Sequence, residues 1–173
     1  MPRVWTPLKA ICAALAFVLL MAAFTTSEGR AQSSGSEVIT EEEAEAFFRT
    51  WVGMIDANTP VEEYLKYLPD GDFEQWSYTN AEIKNVAELR AYFEAAWGTI
   101  KQNSNDILSI ETADGEEGRV EVIANVDWTA VTADDHTIQM PLTYRVTVGR
   151  GASSNDVEGR HPKIFKYAIR PTQ

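Results

Sequence analysis

The chain has 173 residues, with 15 Lys plus Arg against 26 Asp plus Glu, a formal net charge of -11, 45% apolar residues and a single Cys. That length suits one domain, the apolar content excludes a wholly disordered chain, and one Cys excludes a disulfide scaffold. The acidic balance speaks against nucleic acid as a partner, because displacing counterions from a phosphate backbone needs a concentrated Lys/Arg surface.

Residues 1–31 stand apart from the fold. Arg3 and Lys9 precede an uninterrupted apolar run from Ala10 to Phe24, the order of a secretory signal peptide. The run falls short of the roughly 20 residues that cross a bilayer core. Small residues at Gly29 and Ala31 place cleavage after Ala31, giving a periplasmic or secreted protein; an uncleaved segment would instead hold it to a membrane through residues 10–24. Cys12 lies inside the run, so the mature chain holds no Cys. Removing residues 1–31 takes away Arg3, Lys9, Arg30 and Glu28, which leaves 12 basic and 25 acidic residues and a net charge of -13. Residues 32–37, QSSGSE, predict a flexible leader, and 38–173 a single domain.

Thr40 followed by Glu43 forms a capping-box pattern, and Glu41 to Glu43 put negative charge at the positive end of a helix dipole. Behind it Ala44, Phe47, Phe48, Trp51, Val52 and Ile55 repeat at three and four, which predicts a helix with one apolar face. Asn58-Thr59-Pro60 stops it and starts a short second helix, with Thr59 as N-cap and Pro60 at the first helical position. This helix presents Val61, Tyr64, Leu65 and Leu68 before Pro69-Asp70-Gly71 turns the chain. The aromatic stretch DFEQWSYTN, with Phe73, Trp76 and Tyr78, predicts a brief strand or an extended crossing. Asn85 with Glu88 caps a third helix whose apolar positions are Leu89, Tyr92, Phe93, Ala96, Trp97 and Ile100. From Asp106 the period falls to two, which predicts strands near 106–113, 119–132, 137–149 and 162–170. Asp114-Gly115 and Ala133-Asp134-Asp135 supply tight turns, whereas 149–160 predicts a longer mobile loop. The expected class is α+β, with three N-terminal helices packed on one face of a curved antiparallel sheet.

This order, a long helix ending in Ile55-Asp56-Ala57-Asn58, a short helix EEYLKYLPDGDF, an aromatic strand, a helix NVAELRAYFEAAW and a long-stranded meander, resembles the nuclear transport factor 2-like superfamily. Its SnoaL-like and ketosteroid isomerase-like members are the nearest. The resemblance implies a cone whose sheet wraps the helices and leaves a pocket at its open end, and homodimers through the outer sheet face. It also implies that catalytic members use a pocket carboxylate as base, with a Tyr hydroxyl or protonated acid stabilising an enolate. Fold alone does not choose among isomerases, cyclases, dehydratases and binding modules.

Strand parity decides which side chains can face such a pocket. On the second meander strand Val120, Val122, Ala124, Val126, Trp128 and Ala130 share one face, opposite Glu121, Asn125, Asp127 and Thr129. On the third, Ile138, Met140, Leu142, Tyr144, Val146 and Val148 oppose Gln139, Thr143, Arg145 and Thr147. The apolar face packs on the helices, so Asp127 and Arg145 project outward, where a hairpin register that sets them opposite each other would make an ion pair. A β-bulge would reverse this parity and turn Asp127 inward. The candidate catalytic groups are Asp56 at the end of the first helix, Asp127 if inward, and the hydroxyls of Tyr78, Tyr92 and Tyr144, with no complete acid-base dyad. Trp51, Tyr92, Trp97, Trp128, Met140 and Tyr144 are the expected walls of a pocket for a small hydrophobic molecule. Asp134, Asp135 and His136 have metal-ligand types, but adjacent positions on a hairpin tip rarely converge on one ion. Neither a metal centre nor a cofactor is expected, and a membrane is a partner only through an uncleaved signal segment. Two functions remain: an exported, non-catalytic ligand-binding or protein-interaction module, and an isomerase, cyclase or dehydratase that uses one carboxylate with a Tyr hydroxyl.

Overall fold

A computed structural model describes residues 38–172; the expected signal segment and leader lie outside the described residues. The first helix, α1 (Glu41–Asp56), starts on the expected capping box: Thr40 Oγ1 accepts from the Glu43 N–H at 3.2 Å, and Glu43 Oε2 accepts from the Thr40 N–H at 3.1 Å. All six apolar positions predicted for its inner face are buried. At its end Asn58 adopts a left-handed conformation with φ 50°. The Asn58 N–H returns to Ile55 O at 3.0 Å and the Thr59 N–H to Met54 O at 3.1 Å, which satisfies the last carbonyls of the helix.

The second helix, α2 (Val61–Tyr64), begins one residue later than predicted. The Thr59 carbonyl already accepts from Trp97 Nε1 at 3.1 Å, so the capping role passes to Pro60, whose carbonyl accepts from the Glu63 N–H at 3.1 Å. A 3-10 turn, Leu65–Tyr67, continues it. Two short strands follow, β1 (Gln75–Tyr78) and β2 (Ala81–Glu82), and then α3 (Val86–Thr99), capped by Asn85 Oδ1 on the Glu88 N–H at 3.1 Å. Ile100 is not on this helix. The chain passes from Thr99 directly into β3 (Ile100–Asp114), because pairing with the next strand continues down to Ile100 against Thr132 and draws the polar segment 101–105 into the sheet.

The remaining strands are β4 (Val120–Thr132), β5 (Thr137–Gly149) and β6 (Lys163–Pro171). The predicted meander is therefore part of a larger, mixed sheet in the order β2-β1-β6-β5-β4-β3, in which β1 runs parallel to β6. The helices precede a curved, open sheet, and α1 lies across β3, β4 and β5 on its apolar face. Trp51, fully buried, packs edge-on against Tyr64, Trp76 and Tyr167 at the centre of the core.

Two sequence expectations are corrected here. The β4–β5 turn closes tightly, with Asp135 at φ 63° and the Thr132 N–H on His136 O at 2.9 Å. The register then sets Asp127 opposite Pro141 and Arg145 opposite Ile123, so the Asp127–Arg145 pair does not form, and Arg145 bonds Glu121 at 3.1 Å instead. The loop between β5 and β6 is also pinned rather than free. Asp156, buried, accepts from the Arg160 and His161 N–H groups at 3.1 and 2.9 Å and from Lys163 Nζ at 2.5 Å. Lys163, 1% exposed, donates in turn to Lys66 O at 2.5 Å, which ties the loop to the 3-10 turn. Burying either charge alone would be costly, and pairing with full hydrogen bonding is what makes the arrangement tolerable.

Candidate functional site

A cavity of about 120 Å³ lies between α3 and the far ends of the long strands. Tyr92, Phe93, Ala96 and Trp97 come from α3, Trp128 from β4, and Met140, Leu142 and Tyr144 from β5. Tyr78 closes one side, its ring stacked on Tyr92 at 4.2 Å with an interplanar angle of 11°. Phe93 and Trp97 stack likewise at 4.8 Å and 13°, so two flat aromatic pairs, one within α3 and one between α3 and β1, line this side of the cavity.

Of the residues predicted to wall a pocket, the structure brings together Tyr92, Trp97, Trp128, Met140 and Tyr144. Trp51 does not reach the cavity and belongs to the central core. The carboxylates fall elsewhere. Asp127 stays on the outer face, because β4 pairs with β5 without a break from Val120 to Val131. His136 sits on the exposed β4–β5 turn, bonded through Nδ1 to Asp134 at 2.8 Å.

The bulge that the sequence left open occurs in β3 instead. The register slips between Ile107 and Ser109, which leaves Leu108 unpaired and 61% exposed. Ile110 and Thr112 point inward beyond the bulge, and Asn103, Asn105 and Ile107 point inward before it, a one-residue change of parity. Two buried asparagines thereby enter the interior. Asn103 Nδ2 donates to Asn58 Oδ1 at 2.6 Å, and its Oδ1 accepts from Trp128 Nε1 at 3.1 Å. Asn105 Nδ2 donates to Asp56 Oδ1 at 2.5 Å, and its Oδ1 accepts from the Tyr144 hydroxyl at 2.7 Å.

Sequence reasoning missed both asparagines. Asn103-Ser104-Asn105 has turn-like composition, and nothing in it signals a strand whose parity is set by a bulge three residues further on. The one signal that could have pointed there is the residue type of Asn58 at a helix end, since Asn is among the few residues that adopt the left-handed conformation found at this position.

Electrostatically the cavity favours neutral hydroxyls. Burial pushes the Tyr144 phenol well above its ordinary range, and the negative charge of Asp56 pushes it the same way. Burial also raises Tyr92, and raises Tyr78 further still. These groups stay protonated throughout the neutral range and can hydrogen-bond, but none is poised to take a proton near pH 7. Asp56 meets the cavity only through Asn105 and Tyr144.

No family model matches the sequence, and no curated protein matches it. Solved structures do resemble it. A nuclear transport factor 2-like superfamily protein from Salmonella enterica serovar Typhimurium superposes with a TM-score of 0.64 at 10% identity, covering 76% of this chain and 90% of that one. A protein from Novosphingobium aromaticivorans provisionally described as a scytalone dehydratase gives 0.60 at 18% identity, with 75% and 82% covered. Another from that organism, provisionally described as an aromatic ring hydroxylase, gives 0.63 at 12% identity, with 75% and 87% covered. Helices first and a curved sheet after them superpose on these neighbours over three quarters of the chain, which shows the nuclear transport factor 2-like cone fold.

Proposed function

We propose that this domain binds a small, flat, mainly apolar molecule in the aromatic cavity and holds it without transforming it. The observation that carries this reading is the composition of the wall, which contains aromatic, aliphatic, thioether, hydroxyl and amide groups but neither a carboxylate nor an imidazole. General acid-base catalysis needs a titrating group within about 2.6–3.2 Å of the proton it moves, or one water away. Asp56 is two hydrogen bonds removed, with its Oδ1 committed to Asn105. The cavity, at about 120 Å³, approaches the roughly 150 Å³ of an apolar protein cavity that accepts benzene. A single ring or a branched aliphatic group of that size suits it, with any larger remainder projecting from the open end. The order of charge and apolar residues in 1–24 supports a site of action outside the cytoplasm.

Trp97 and Trp128 on the wall supply the assay. Titration of the purified protein with toluene or indole should give a saturable change in tryptophan fluorescence. Ala96→Phe, which places a ring in the space, should abolish it at an unchanged melting temperature. Absence of saturable binding to the unmodified protein would overturn the reading, as would turnover of a ketone or hydroxylated aromatic substrate that disappears in Asp56→Asn.

A further inference from the structure

Hydrogen-bond direction on the polar side of the cavity is fixed from outside it. The Asp56 carboxylate has no proton to give and only accepts. Asn105, buried, must therefore turn its amide nitrogen toward it, and Nδ2 donates to Asp56 Oδ1 at 2.5 Å. That orientation leaves Asn105 Oδ1 on the other side as an acceptor. The group it meets, at 2.7 Å, is the Tyr144 hydroxyl, and two oxygens share this contact only because the hydroxyl gives its proton. Burial keeps the phenol neutral, so the proton is present and committed to Asn105. Tyr144 also lines the cavity. What it has left to offer a ligand there is an oxygen lone pair. Trp128 is likewise spent within the protein, its Nε1 on Asn103 Oδ1 at 3.1 Å. The Tyr78 hydroxyl is different: buried and without a partner among the described residues, it can turn its proton either way.

We infer that the cavity selects, among flat apolar rings, those that carry an N–H or O–H, and that Asp56 sets this preference from two hydrogen bonds behind the wall. The inference rests on the ligand-binding reading above and names the class of ligand. A ring N–H or O–H placed at Tyr144 donates to its oxygen, whereas a ring ether or ketone there would set lone pair against lone pair. An acceptor can turn to Tyr78 instead, but the Tyr144 oxygen then faces carbon and one hydrogen bond is lost. Asp56 is a positioning residue: it acts by holding the amide of Asn105 in one orientation. An Asn in its place has both an acceptor and a donor. It can donate to Asn105 Oδ1, so that Asn105 Nδ2 donates to the Tyr144 oxygen and the Tyr144 proton is released toward the cavity. The chain of bonds then runs in either direction.

Indole and benzofuran test this, being nearly the same shape with an N–H in one and a ring oxygen in the other. In isothermal titration calorimetry both should saturate the unmodified protein, indole about fivefold more tightly, the worth of one net hydrogen bond. The ratio should fall toward unity in Tyr144→Phe, which has no acceptor, and in Asp56→Asn, which frees the direction of the chain. Asp127→Asn, an equal loss of charge on the outer face, should keep it. Each ratio compares two ligands on one protein, so a general loosening of the fold weakens both and leaves the ratio in place, and the ratio in the unmodified protein needs no variant. Equal binding of the two to the unmodified protein, an unchanged preference in Tyr144→Phe or Asp56→Asn, or its loss in Asp127→Asn would overturn the inference while leaving the ring-binding reading intact. If neither ligand saturates, the ring-binding reading fails and this inference with it.

Discussion

Lys163→Met removes the cation from a buried ion pair and leaves its partner in place. The Lys163 and Asp156 side chains are 1% and 3% exposed, and Lys163 Nζ lies 2.5 Å from both Asp156 Oδ2 and Lys66 O. The variant keeps most of the aliphatic volume. It leaves a buried carboxylate with the Arg160 and His161 backbone N–H groups and, at 3.4 Å, the His161 ring as its remaining partners, and the Lys66 carbonyl with no cation. Breaking a buried pair from one side costs about 3–5 kcal/mol. For a domain near 135 residues this corresponds to a fall in melting temperature of about 10–20 °C. The pH dependence separates this cause from simple packing loss. Burial alone would raise the Asp156 carboxyl, but hydrogen bonds from Lys163 and the two backbone N–H groups outweigh it and hold the group well below the usual carboxylate range. A depressed folded pKa contributes stability that is present in full above the unfolded value, near 3.9, and is lost as pH falls further. The gap between the unmodified protein and Lys163→Met should therefore be widest from about pH 5 to 8 and narrow below about pH 4, at up to about 1.4 kcal/mol per pH unit. Urea denaturation at pH 7, 4 and 3 measures it. A loss under about 1 kcal/mol at pH 7, within the range of an exposed pair, or a gap that stays constant into acid, would refute the argument.

Tyr144→Phe should destabilise the domain by about 1–3 kcal/mol, because it leaves the buried Asn105 Oδ1 without its donor; denaturant midpoints at constant slope measure it. Ring-probe binding should survive in this variant, since the cavity wall keeps its shape. N-terminal sequencing of the exported protein should begin at Gln32, and a chain that retains residues 10–24 in a membrane fraction would overturn the expected cleavage.

Local signals made the helices readable. Thr40 with Glu43 and Asn85 with Glu88 act through backbone N–H groups three residues away, so their pattern is complete in a short stretch of sequence. The inner face of α1 was equally legible, because a period of 3.6 and one buried side leave little freedom. Strand existence was readable too, but register was not. A tight turn around Asp135 shifted Arg145 from Asp127 to Glu121, and a single extra residue at Leu108 carried Asn103 and Asn105 to the inner face.

The buried charges show the same division. Asp156, in a Gly- and Ser-rich stretch, and Lys163, at the start of the last strand, are both of types that ordinarily face solvent, and it is their pairing, with Lys163 also reaching Lys66 O far back in the sequence, that explains why both are buried. What the sequence by itself determined was the order of elements, the helix caps and the aromatic content of the interior, since these follow from periodicity and neighbours a few residues apart. Only the tertiary structure decided which polar groups meet the cavity and which charges are buried. Those depend on bulges, turn closure and contacts between segments up to a hundred residues apart, where a shift of one residue reverses every side chain on a strand.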